Sequence, residues 1–101
     1  MATERSTRDV MQPEQFELIA KALADPRRVA MLEAIASRKS CGCSTLTQQF
    51  PVSKATISHH IKELVRAGLV SAERHGQVLN CRVRRDVLAA YTEALLQRVG
   101  G

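Results

Sequence analysis

A chain of 101 residues, 45% apolar and 25% charged, has material for one small folded domain; it is too hydrophobic for disorder and too short for a multi-domain enzyme. Only about 60–65% of the unfolded surface is buried in a domain of this size, so a deep substrate pocket would compete with the core, and dimerisation would relieve the shortage. The formal charge of +5 lies in one stretch: residues 1–50 hold seven Lys/Arg against six Asp/Glu, 51–85 seven against two, and 86–101 one against two.

Residues 1–12 are polar, mixed in charge and without apolar period, which predicts a flexible N-terminus ahead of a single domain over 13–99. Pro13 suits a first helical turn, and Phe16, Ile19, Ala20 and Leu23 follow at i, i+3, i+4 and i+7 as one apolar stripe. Asp25-Pro26 stops that helix and starts another, with Asp25 as N-cap and Pro26 at N1, and Val29, Leu32, Ile35 and Ala36 form its buried side. After Cys41-Gly42-Cys43, Thr45 with Gln48 reads as a capping box for a short helix over 46–50, which Pro51 breaks. Ser53 caps a further helix with Ile57, Ile61, Leu64 and Val65 inward, and Gly68 suits a left-handed C′ position. Two helices joined by so short a turn are a helix-turn-helix.

Beyond Gly68 the period changes. Residues 69–73 and 78–83 read as strands around Arg74-His75-Gly76-Gln77, where Gly76 supplies the positive φ of a hairpin. A last helix over about 86–99 carries Val87, Leu88, Tyr91, Leu95 and Leu96 with little left to cover them. The fold class is mainly α with a small β-hairpin wing: a winged helix-turn-helix, dimeric through its first and last helices.

The basic stretch 51–85 also holds His59, His60 and His75, so an anionic partner docks there, nucleic acid first. With Ile57, Ile61 and Leu64 inward, Lys54, Thr56, Ser58, His59 and Lys62 project from other faces, short donors near the N-terminal end and lysines placed for phosphates. His59 and His60 are adjacent, about 100° apart on a helix, and cannot chelate one metal as an i, i+4 pair can. Aromatic content is 3%, so the stacking platforms of RNA and single-strand binders are missing and duplex DNA is the better partner.

Three collinear segments sharpen this reading. Ala24-Asp25-Pro26-Arg27-Arg28-Val29-Ala30-Met31-Leu32, the run Val52-Ser53-Lys54-Ala55-Thr56-Ile57-Ser58-His59-His60-Ile61-Lys62-Glu63-Leu64, and Ala67-Gly68-Leu69-Val70 closely resemble the ArsR/SmtB family of bacterial transcriptional repressors, over about residues 13–98. The resemblance implies a homodimeric repressor on an imperfect-palindrome operator in double-stranded DNA. It also implies a recognition helix bearing Ser53, Lys54, Thr56, Ser58, His59, His60 and Lys62, and a wing that reaches the backbone through Arg74, His75 and Gln77.

Cys41, Cys43 and Cys81 are too few and too odd in number for a disulfide framework. Without an apolar run of about 18 residues or a signal-like N-terminus, the expected location is cytoplasmic, away from membranes, where these are thiols. Cys41-Gly42-Cys43 resembles the Cys-X-Cys of arsenic-sensing family members in type and approximate place, although Ser44-Thr45-Leu46 follows where those members have an acidic residue and Leu. The segment before the helix-turn-helix often forms a strand beside the returning wing strand, which would set Cys81 opposite or diagonal to the pair. Three such thiolates suit As(III) or Sb(III) as inducer, with no other cofactor required; two suit a disulfide or persulfide switch; small buried cysteines without a sensing role are the third option. An enzyme is not expected, because no orienting carboxylate or cofactor loop accompanies the Cys and His residues.

Overall fold

The computed structural model describes residues 11–37, 41–42, 46 and 48–100. Helix α1 (Pro13–Leu23) opens on Pro13, whose missing N–H is one the first turn cannot use. Asp25 ends the connection and caps α2 (Pro26–Ala36), its carboxylate accepting from Arg27 N–H at 2.9 Å. Strand β1 (Cys41–Gly42) follows. Leu46, Gln48 and Gln49 are helical, and Phe50 N–H donates to the Leu46 carbonyl at 3.0 Å. The expected cap Thr45, residues 1–10 of the N-terminal stretch, and Cys43 lie outside the described residues. Helix α3 (Lys54–Arg66), the hairpin β2 (Val70–His75) and β3 (Val78–Val83), and α4 (Arg85–Arg98) complete the order.

The three strands form one antiparallel sheet in the order β1-β3-β2. The hairpin is tighter than the sequence predicts: pairing runs to His75↔Val78, so only Gly76 and Gln77 form the turn, and Arg74 and His75 belong to a strand. The cause is Gly76 at φ +65 in the first turn position with no positive φ at Gln77, the φ pattern of a two-residue type II′ turn. Leu69 precedes the strand and is fully buried.

One core lies between α1, α2, α3 and the inner face of the sheet, with Ile19, Met31, Ile35, Leu46, Ile57, Leu64, Leu69 and Cys81 fully buried. Each large aliphatic side chain removed from water there contributes about 1.5–3 kcal/mol. The stripe on α1 is rotated from the predicted one: Ala22 is buried and Ala20 exposed. Val65, expected inside, is 39% exposed. Helix α4 buries no residue completely; its Tyr91 ring meets Phe16 of α1 at 5.0 Å between centroids, and Arg98 stacks over Phe16 at 3.8 Å.

Candidate nucleic-acid interface

The chain enters α3 through Ser53, whose extended backbone (φ −69, ψ 160) lets its hydroxyl accept from Thr56 N–H at 3.1 Å. The Ser53 and Thr56 hydroxyls are also hydrogen-bonded, at 3.0 Å. Ile57, Ile61 and Leu64 hold the inner side of the helix in the core. Helical spacing then turns Lys54, Ser58, Lys62 and Arg66 outward as one row, with Ala55 and His59 beside it, and all six are exposed. At the far end Gly68 (φ +85) makes a Schellman cap: Gly68 N–H donates to Val65 O at 2.9 Å and Leu69 N–H to Leu64 O at 3.0 Å. Gln15 of α1 adds a clamp, its side-chain amide donating to the Ala67 carbonyl at 3.3 Å.

Of the residues the sequence singled out, Ser53, Lys54, Ser58, His59, Lys62, Arg74, His75 and Gln77 are exposed, Thr56 is half-buried and His60 is buried. Arg66 and Arg82 are exposed cations on the same helix and wing that the sequence reading passed over. Arg66 stands four residues after Lys62, and that spacing is the signal that would have found it. The remaining basic side chains of the stretch are occupied: Arg84 pairs with Asp86 at 3.0 and 3.2 Å, and Arg85 donates to the Ala36 carbonyl at 3.0 Å. The Arg84 hydrogen bond draws the Asp86 carboxyl below its ordinary range. At the wing, His75 Nε2 lies 3.4 Å from a Glu73 carboxylate oxygen.

His60 has a different setting from its neighbour. It is 5% exposed, and its Nδ1 lies 3.3 Å from Nη1 of Arg28 on α2. Burial pushes the imidazole pKa down; the Asp25 carboxylate opposes that shift, and the charges of Arg28, His59 and Arg27 add to it. Nε2 is buried with no hydrogen-bond partner among the described residues, a loss of about 1–3 kcal/mol for an N–H of this kind. The expectation that His60 touches DNA does not match this placement. The cause is periodicity: His60 is three residues after Ile57 and four before Leu64, on the core side of α3.

The register of the sheet sets Cys41 directly opposite Cys81, and Ala72 opposite Cys81 on the other side. Cys81 is fully buried. Among the described residues no group of three His, Cys, Asp or Glu is arranged to hold a metal; the candidate trio includes Cys43, outside those residues. No helix among the described residues is long and apolar enough to cross a membrane.

The order of helices with a paired-strand wing after α3 defines a winged helix-turn-helix. A helix-turn-helix domain family model matches residues 23–71. An arsenical resistance operon repressor from Staphylococcus xylosus is 35% identical over 66 residues, 65% of this chain and 62% of that repressor, so the match spans less than two thirds of the relative's length. Among solved structures, an ArsR-like transcriptional regulator from Rhodococcus sp. RHA1 superimposes with a TM-score of 0.75 at 25% identity, covering 86% of this chain and 80% of that one. The homodimeric winged helix-turn-helix DNA-binding domain of a possible ArsR-family regulator from Mycobacterium bovis gives 0.69 at 29% identity over 85% and 78%. The fold is a winged helix-turn-helix, and the chain is similar to regulators of the ArsR family.

Proposed function

We propose that the chain is a transcriptional repressor that binds double-stranded operator DNA as a homodimer, with α3 in the major groove and the β2–β3 wing on the sugar-phosphate backbone. The observation that carries this reading is the division of α3. Its core side is buried, while Lys54, Ser58, His59, Lys62 and Arg66 face outward from a capped N-terminal end, beside a wing bearing Arg74 and Arg82. Such a face supplies short donors for base edges and cations for phosphates. Dimerisation is supported by the uncovered apolar surface of α4, where Leu95, Leu96 and Val99 are 40%, 63% and 72% exposed. Pairing α1 and α4 across a two-fold axis would cover them and set two recognition helices about 34 Å apart, one turn of duplex. Fluorescence anisotropy of the reduced protein on a duplex from its own promoter tests the reading; binding that weakens steeply with salt supports it, and salt-insensitive or absent binding defeats it.

We infer that release is triggered at the thiols of Cys41, Cys43 and Cys81 by a soft trivalent metalloid, As(III) or Sb(III). The cross-strand register of Cys41 and Cys81 supports convergence of those two residues, and the arsenical resistance name of the Staphylococcus relative supports the metalloid. Ligation beside the helical turn at Leu46 would strain the approach to α3. The same register favours a second reading, a two-thiol switch in which an oxidant takes two electrons as Cys41 and Cys81 join, or one thiolate takes the outer sulfur of a donor persulfide, whose remainder leaves as a thiolate. Cys43→Ser separates them: a three-thiolate site loses its response to arsenite, whereas a Cys41/Cys81 switch keeps its response to oxidant.

A further inference from the structure

His60 brings a buried Nε2, unpartnered among the described residues, into the core side of α3, where a leucine would leave no orphan donor. What the imidazole adds is an acceptor. Arg28 has only N–H groups to offer, so the 3.3 Å contact requires a lone pair on His60 Nδ1 and puts the ring proton on Nε2. The same guanidinium donates through Nε to Ala22 O at 2.9 Å and through Nη2 to Lys21 O at 3.4 Å, and stands 3.9 Å from Asp25 Oδ2. One side chain thus joins the last turn of α1, the cap of α2 and the middle of α3.

We propose that His60 is a positioning residue for DNA binding: by accepting from Arg28 it fixes the rotation of α3, so that Lys54, Ser58, His59 and Lys62 face outward together, and it does so only as the neutral ring. This rests on the DNA-binding reading above. A proton added at Nδ1 would set N–H against N–H and a second positive charge 3.3 Å from the first. Among the described residues the charged groups facing the ring are Asp25 at the α2 cap, Arg27 and Arg28 on α2 and His59 on α3; of these only Asp25 favours the charged ring, and burial outweighs it. The folded ring therefore stays neutral to lower pH than a free one, and the contact is present above about 6.5 and lost as pH falls through the lowered folded value.

The test is anisotropy on the promoter duplex from pH 8 to 5.5 for wild type, His60→Asn and His60→Leu, with folding followed by circular dichroism at each pH. Asparagine keeps an acceptor at the δ position and cannot be protonated there; leucine removes the acceptor. His60→Asn is expected within about threefold of wild type at pH 7.5, and His60→Leu weaker by about tenfold or more while folded. As pH falls through the lowered folded value, below 6.5, wild type should lose affinity relative to His60→Asn by up to about tenfold per pH unit per protomer. Superimposable profiles of these two proteins overturn the proposal, and so does equal weakening by Asn and Leu at pH 7.5, the mark of a direct DNA contact. Should His60→Leu unfold, the wild-type against His60→Asn profile and the Nε2–H tautomer by nitrogen-15 NMR decide. No binding by wild type at pH 7.5 overturns the DNA reading, and the proposal with it.

Discussion

Replacing Gly68 by alanine would place a β-carbon 2.7 Å from Gln15 Nε2 while the backbone stays at φ +85. The left-handed conformation costs an L-residue about 1–2 kcal/mol. Moving Gln15 aside gives up its 3.3 Å bond to the Ala67 carbonyl, about 0.5–1.5 kcal/mol more. The stiffer unfolded chain returns about 0.4–1 kcal/mol, leaving a net destabilisation of about 2 kcal/mol. For a domain of this length that lowers Tm by roughly 8–16 °C, measured at fixed protein concentration because self-association would make Tm depend on it. In a Gln15→Ala background the obstacle and the bond are both absent, so only the φ penalty remains and Gly68→Ala should cost about 1 kcal/mol. Gly76→Ala is the control, since nothing among the described residues stands within 4 Å of the added carbon at φ +65. Equal destabilisation by Gly68→Ala in the two backgrounds would refute the role given to Gln15.

Ser53 separates capping from DNA contact: Ser53→Ala should destabilise α3 by about 1 kcal/mol, whereas Ser53→Asp keeps a capping oxygen and stability but weakens DNA binding by placing a negative charge against phosphate. Thermal unfolding and anisotropy on the same two variants check the pair. Arg74→Ala should reduce the magnitude of the salt slope, d log K/d log [salt], by about 0.9 per protomer; an unchanged slope would remove Arg74 from the phosphate contacts. Leu96→Asp, at a 63% exposed apolar position, should shift sedimentation towards monomer and lower affinity for a two-half-site duplex.

Local chemistry made the helix ends legible. Asp25-Pro26, Ser53 and Gly68 each act within a few residues, and each terminus forms as the sequence predicts. The wing tip was less legible: Gly76 marks the bend, but a turn of two residues rather than four also depends on which cross-strand partners meet, here His75 and Val78. The α1 stripe was misplaced for a related reason: Phe16 is held by Tyr91 and Arg98 of α4, at the far end of the chain, and this contact helps set the face α1 turns inward.

Within the candidate interface the two histidines divide along the same line. Their spacing from Ile57 and Leu64 puts His60 inside and His59 outside, so that much was available from the sequence. The partner was not, because Arg28 is 32 residues away and reaches His60 only once α1 and α2 have packed. The Cys41–Cys81 register spans 40 residues yet is easier to anticipate, since a strand before the helix-turn-helix has the returning wing strand as its neighbour. Topology thus brings backbone positions together across long separations, whereas a side-chain contact such as Arg28–His60 also needs the helix rotation. That rotation is what the contact itself helps to fix, so disturbing it should alter DNA binding while the helix boundaries stay in place.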